Sequence, residues 1–271
     1  MARWDWRRFL VDVNRSITED MKNMGKFQIK DYVSRRIEGA IDSLKEDIET
    51  DLFRYGKYVA APYNMNGLYD ICPSSSANTN GAANSDTQAS GTENGNINRT
   101  NSWWRNWVAR DGASITADDF TNKISIDPSS PYDLNLLSDM RHFFNCITNN
   151  QESPNLILCD QDIFEAYEDE ASDKSQVVIS SFTRKAVDLG FEAITFKGAT
   201  MSWSQKLAAS KALWMLNMNH IEWPYHPGMW FDPTNWKETA NQLERVIYIC
   251  CMSPGLITAQ PRRHGVMVYT S

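Results

Sequence analysis

The chain has 271 residues, with 27 Lys and Arg against 34 Asp and Glu, a formal charge of -7. That balance excludes a surface whose main task is to neutralise phosphates. No apolar run is long enough to span a bilayer, and the charged start, Met1 to Arg8, is followed by no apolar leader core, so a soluble protein made in the cytosol is expected. The length allows one large or two modest domains and the burial of about three quarters of the unfolded surface, so no disulfide or metal staple is needed. Cys72, Cys146, Cys159, Cys250 and Cys251 lack metal-ligand spacing and read as reduced thiols packed like small hydrophobes.

Phe9, Val11 and Val13 alternate with polar positions, which predicts a strand closed by Asn14-Arg15-Ser16. From Lys26 the period changes. Ile37, Ile41, Leu44, Ile48 and Leu52 fall on one helical face, while Arg35, Arg36, Glu38, Lys45, Glu46 and Glu49 fall mostly on the other. The helix is expected to run to Gly56, a strut roughly 45 Å long. Residues 74–101 are mainly Ser, Asn, Gly, Thr and Ala, a composition too poor in apolar groups to offset backbone ordering, and a flexible insert is expected. Trp103, Trp104 and Trp107 close that polar stretch.

A second amphipathic helix is predicted from Asp133 to Asn149, with Leu137, Met140, Phe144 and Ile147 on its inner side. Leu156 to Cys159 reads as a short buried strand, and Asp160 as the cap of a helix carrying Ile163, Phe164 and Tyr167. A further short helix should end at Gly190. Phe191 to Phe196 and Ala199 to Trp203 flank Lys197-Gly198 as a hairpin. The rest is strand-rich: Ala212 to Leu216, Arg245 to Met252, a Pro254-Gly255 turn, Leu256 to Gln260, and Gly265 to Tyr269.

Three constellations offer chemistry. His220, Glu222 and His226 are close in sequence, but histidines six apart around Pro224 suit neither a helix face nor a tight turn, so ordinary hydrogen bonding is the expected role. Cys159 ends a strand, with His142 available as a base, yet no glycine-rich turn follows to cradle an anion, and a packed thiol is expected. The ten tryptophans, with abundant carboxylates, could line a sugar cleft. Trp103, Trp104, Trp107, Trp214, Trp223, Trp230 and Trp236 lie in segments of different type, which favours core and interface roles. Glycine-rich phosphate loops, nucleophile elbows and zinc-protease helices are absent from the sequence.

Several segments, in one shared order, resemble major capsid proteins of tailed bacteriophages with the Hong Kong 97-type fold. Val13-Asn14-Arg15-Ser16-Ile17 and Asn23 to Ile29, with the long helix, resemble the end of that family's extended loop and its spine helix. Ile97 to Asn106 resembles the segment leading into the axial domain. Pro154 to Gln161 with Tyr167, then Gly190-Phe191 and Phe196 to Ala199, resemble its central strand, helix and hairpin. Leu216-Asn217, His226-Pro227 and Arg262 to Val266 resemble its closing strands.

The resemblance implies an α+β subunit with a long spine helix, peripheral β-strands and an axial α+β domain. Residues 1–25 would be the remnant of the extended loop. Residues 26–109 would form the peripheral domain with the insert 74–101, residues 110–215 the axial domain, and residues 216–271 the closing peripheral strands. The family's N-terminal arm and first extended-loop strand have no counterpart here, so the chain looks truncated, processed or started late, and residues 1–16 are expected to project with few contacts. The implied function is mechanical: hexamers and pentamers forming an icosahedral shell in the virion, made in the host cytoplasm. The implied partners are further copies of the chain, portal and scaffolding proteins, and double-stranded DNA held non-specifically. No catalytic residue, cofactor or metal is implied. Structural roles are expected for Trp103 and Trp104, anchoring the insert, and for Ile37, Ile41, Leu44 and Ile48 on the core face of the helix, whose polar face would meet the lumen or a neighbour. An encapsulin-like compartment and a carbohydrate-active enzyme are the alternatives.

Overall fold

A computed structural model describes residues 2–22, 24, 32–53, 65–72, 97, 104, 106–111, 123–126, 136–149, 151–175, 194–207, 211–239 and 244–269. The apolar stripe of the strut organises the first of two layers. Helix α2 (Tyr32–Phe53) follows a single-turn helix, α1 (Ile17–Lys22). Its 22 residues make a rod roughly 33 Å long; the expected extensions to Lys26 and Gly56 lie outside the described residues. Leu44 and Ile48 are 2% and 4% exposed, and Ile37, Ile41 and Leu52 are half-buried against the same cluster. Full burial of a side chain such as Leu44 stabilises by about 1.5–3 kcal/mol.

Against that stripe lies a four-stranded sheet. Strand β1 (Arg7–Ser16) pairs antiparallel with β11 (Glu244–Ser253) along its whole length, from Arg7 opposite Ser253 to Ser16 opposite Glu244. On the far side, β9 (Trp230–Pro233) and β10 (Lys237–Glu238) pair with β11. Phe9, Val11 and Val13 face α2 together with Ile247, Ile249 and Cys251. The projecting N-terminal segment expected from the sequence is therefore corrected: residues 7–16 are folded into a sheet. Strand and period were readable at residues 9–13, but the partner comes from more than 220 residues away in sequence, beyond any local pattern.

The second layer is a mixed seven-stranded sheet in the order β3-β2-β13-β7-β4-β6-β5. Its strands are β2 (Trp107–Asp111), β3 (Lys123–Ile126), β4 (Leu156–Cys159), β5 (Ile194–Phe196), β6 (Ala199–Trp203), β7 (Ala212–Leu216) and β13 (Gly265–Val268), while β8 (Ile221–Glu222) and β12 (Ile257–Thr258) form a separate antiparallel pair. Every residue of β7 and β13 is buried, as continuous apolar runs require when both faces of a sheet are covered. One face carries α4 (Leu136–Ile147) and α5 (Gln161–Ser175), with Met140, Phe143, Ile147 and Ile163 packed on Ile157, Leu213, Met215 and Met267. The other carries the short helix α3 (Leu68–Ile71), with Leu68 and Ile71 on Val108, Trp214, Leu216 and Val266. β13 joins β2 in parallel and β7 antiparallel, so the sheet unites segments from both sides of the boundary expected at residue 216.

Local chemistry fixes the joints. Lys197 and Gly198 have φ of 49° and 87°, the paired positive angles of a type I′ hairpin turn, as the sequence led one to expect. Gly255 (φ 89°) lies against the backbone of Asn66, where a Cβ would approach the Asn66 amide nitrogen to 2.5 Å. Asn66 donates to Pro254 O and accepts from Leu256 N–H, both at 2.9 Å, so the Pro254-Gly255 turn stitches the two layers' connections together. Glu170 of α5 accepts the Leu137 N–H at 2.9 Å, placing a carboxylate at the start of α4. Asp160 occupies the cap position of α5, its carbonyl accepting from Phe164 N–H, while its carboxylate takes the Lys211 N–H at 3.1 Å and ties the helix start to β7.

Candidate assembly surfaces

The insert's flanks meet inside the protein. Asn106, 1% exposed, donates from Nδ2 to Cys72 Sγ at 3.4 Å and to Trp107 O at 3.2 Å, and Trp214 Nε1 donates to Cys72 O at 3.2 Å. Trp104 is 4% exposed beside this point. Trp103 and residues 74–96 lie outside the described residues. The Trp104 indole has protein in place of water on nearly every side.

On the other layer an aromatic groove of about 240 Å³ opens between α2 and β9, lined by Lys45, Ile48, Glu49, Leu52, Trp223, Trp230 and Phe231. Phe231 has φ of 57°, and it falls where the register slips between Cys250 and Cys251. This bulge re-aims the Phe231 ring towards α2, a strained conformation for a bulky residue that ring packing must offset. Trp230 stacks edge-on with Trp223 and Phe231, at 5.8 and 5.0 Å, and lies 4.8 Å from Tyr225. Ser253 Oγ accepts from Trp223 Nε1 at 2.8 Å and donates to Pro224 O at 2.7 Å, holding the loop to the end of β11. Tyr225 remains 51% exposed, and Trp223 and Met229 are also exposed, so the rim is apolar. Among the described residues Glu49 is the one carboxylate in the lining, and they assemble no acid-base pair of the carbohydrate alternative there.

The polar face of α2 is charged and open. Lys45 pairs with Asp42 at 3.2 Å, and Glu46 with Lys206 at 3.1 Å. Arg36 forks onto both oxygens of Glu19 at 3.2 Å and donates to Asn14 O at 2.8 Å, clamping α1 and β1 to the helix.

The sequence candidates for chemistry are dispersed. His220 Nε2 meets Glu152 Oε2 at 2.8 Å, and Arg263 lies 3.2 Å from the same oxygen. The His220 hydrogen bond, then the Arg263 charge, hold the Glu152 carboxyl below its usual range. His226 Nδ1 accepts from Gly228 N–H at 3.2 Å, so the two histidines serve different partners, and among the described residues no metal-binding cluster forms. Burial, helped by the Asp160 charge, pushes the Cys159 thiol up to about 12, the opposite of nucleophile activation. His142 stands 4.0 Å from Cys146 on its own helix instead. All five thiols are free.

One buried imidazole escaped the sequence reading. His264, 0% exposed, accepts the Asn217 N–H on Nδ1 at 3.2 Å, which leaves Nε2–H to donate to Thr258 Oγ1 at 3.0 Å. Burial, then the His220 charge, lower it to about 3. It lies within the stretch Arg262 to Val266 that carries the family likeness, but nothing local marked the ring as a neutral core group.

No family model and no curated protein sequence matches the chain. Solved structures do. The cyanophage A-1(L) capsid superposes with a TM-score of 0.61 at 15% identity, over 97% of this chain and 77% of that one. The encapsulin of the holo-SrpI complex from Synechococcus elongatus gives 0.56 at 11% identity, over 98% and 76%. The capsid of Myoviridae phage XM1 gives 0.52 at 10%, over 98% and 74%. The chain has the Hong Kong 97-type capsid fold. Among the described residues no helix is long and apolar enough to cross a membrane.

Proposed function

We propose that this chain is the major subunit of an icosahedral shell, assembling through hexamers and pentamers around double-stranded DNA. The observation that carries the reading is the likeness to the cyanophage capsid over 97% of the chain, which takes in the spine helix, the peripheral sheet and the seven-stranded sheet together. In this reading residues 110–215 build the axial domain, whose sheet also takes in β13, and the rest of residues 26–109 and 216–271 build the peripheral one. Trp103 and Trp104 anchor the insert, and the charged face of α2 meets the lumen or a neighbouring subunit. A net charge of -7 suits a container that confines DNA without gripping each phosphate. The subunit performs no catalysis; its work is repetition of modest contacts that combine by effective concentration. Portal and scaffolding proteins are its partners, the host cytoplasm its place of synthesis and the virion its destination.

The likeness to the encapsulin supports a second reading, a compartment that encloses a protein cargo. Electron microscopy of the purified full chain tests both. Closed shells of uniform size are expected, and a protein that stays small and soluble at every concentration overturns the proposal. Nuclease-resistant DNA inside particles from infected cells separates the virion from the compartment.

A further inference from the structure

The outer edge of β1 carries a self-complementary pattern that the shell reading does not use. Hydrogen-bond parity fixes which of its peptide groups face outward. On β11, Tyr248 O accepts from Thr234 N–H at 2.8 Å, Tyr248 N–H donates to Thr234 Oγ1 at 3.1 Å, and Met252 O accepts from His226 N–H at 3.0 Å. Even-numbered residues of β11 thus turn away from β1, and odd-numbered ones bond to it. The register pairs odd with odd, so Arg7, Phe9, Val11, Val13 and Arg15 spend their peptide groups on β11. Arg8, Leu10, Asp12 and Asn14 turn theirs outward. Arg36 holds the Asn14 carbonyl, and no strand among the described residues pairs with the others.

The side chains of these even residues face solvent, with Leu10 46% exposed. Arg8 and Asp12 stand about 13 Å apart along the strand, too far to neutralise one another. Turned antiparallel about a two-fold axis at Leu10, a second β1 answers each of these groups. Leu10 meets Leu10, Arg8 of each copy meets Asp12 of the other, and on the reverse face Phe9 meets Val11. Sliding by two residues instead sets Leu10 against Asp12, or Arg8 against Leu10, so charge and apolar matching select one register.

We propose that β1 is an isologous contact, pairing with β1 of a second copy of this chain through reciprocal N–H···O=C bonds centred on Leu10. The contact continues the four-stranded sheet into a neighbour and closes an edge that would otherwise template uncontrolled pairing. It is short, so its strength in isolation is modest. It goes beyond the shell reading and does not depend on it, since the pairing can hold in a protein that stops at dimers.

Sedimentation velocity of the full chain over a concentration series tests it. Self-association of the wild type is expected, weakened at least about tenfold in Arg8→Asp and in Asp12→Arg, because symmetry turns both attractive pairs repulsive in either variant. An equimolar mixture of the two variants should associate again, each reversed charge now facing its complement. Hydrogen exchange adds a readout with the same parity: amides of Leu10 and Asp12 should slow only on association, whereas those of Phe9 and Val11 are protected throughout. A wild type that stays monomeric, single variants that associate as well as it does, a mixture no better than its parts, or Leu10 and Asp12 amides indifferent to association each overturn the pairing. Shells built normally by both single variants overturn it too while leaving the shell reading intact.

Discussion

The two larger sheets among the described residues are covered differently, and the contrast explains which parts tolerate change. The seven-stranded sheet is packed on both faces, by α4 and α5 on one and α3 on the other, and its central strands are wholly buried. The sheet on α2 is packed on one face only, and its other face and the rim of its aromatic groove meet solvent. The central strands of the first, β7 and β13, are held rigidly, because their side chains are packed from both directions. The second is a surface stretched over a rod, and its identity depends on one seam of aliphatic contacts.

The largest test of the contrast attacks that seam. Leu44→Asp buries an unpaired carboxylate against Val13 and Ile249 and should cost about 4 kcal/mol or more, seen as loss of cooperative chemical unfolding of the α2 layer. A variant with wild-type unfolding would show that the stripe is not core. Next comes truncation within each sheet. Trp214→Ala empties a fully buried site, removes the bond to Cys72 O and breaks the edge-on contact with Tyr69, for about 3–5 kcal/mol. Phe9→Ala, half-buried on the one-sided sheet, should cost about 1–2 kcal/mol in the same urea titration, in proportion to the smaller area it returns to water. Equal costs would erase the distinction.

A smaller effect depends on pH. His264 is held neutral well below its ordinary 6.5, down to about 3, so the unfolded chain binds a proton over that interval that the folded chain refuses. Stability is full above about pH 6.5 and falls as pH drops towards 3, by up to about 1.4 kcal/mol per unit. Glu152, held below its usual range, acts in the same direction at the acid end. His264→Gln should flatten the slope of unfolding free energy against pH; an unchanged slope would assign the acid sensitivity elsewhere. The smallest change is on the solvated face of α2, where Lys45→Ala should move stability by no more than about 0.5 kcal/mol, the range of exposed ion pairs.

Legibility from sequence followed the same division between local and distant causes. The stripe from Ile37 to Leu52, the strand 156–159, the hairpin at Lys197-Gly198 and the strand 212–216 were readable because period and turn chemistry act within a few residues. The strands 107–111 and 123–126 were missed; each is ordered by the sheet it joins, Val108 by Val266 and Ile124 by Ala109, not by its own alternation. The fate of residues 7–16 was misjudged for the same reason, since the chain that covers them lies at 244–253. The groove was half readable. Its aromatics were noted singly, but the bulge that turns Phe231 towards α2 has no glycine to announce it, and the ring of His264 became a neutral core group only through Asn217 and Thr258.

The placement of β13 also governs when this chain can finish folding. Residues 265–268 are the plank between β2 and β7, so the two halves of the large sheet stay unjoined on the ribosome until nearly all of the sequence described here has emerged. The strand that covers β1 is made only slightly earlier. Before residues 265–268 have emerged, a nascent chain therefore cannot complete either the large sheet or the core on its two faces, so its last-made strand sets the moment at which the fold can close.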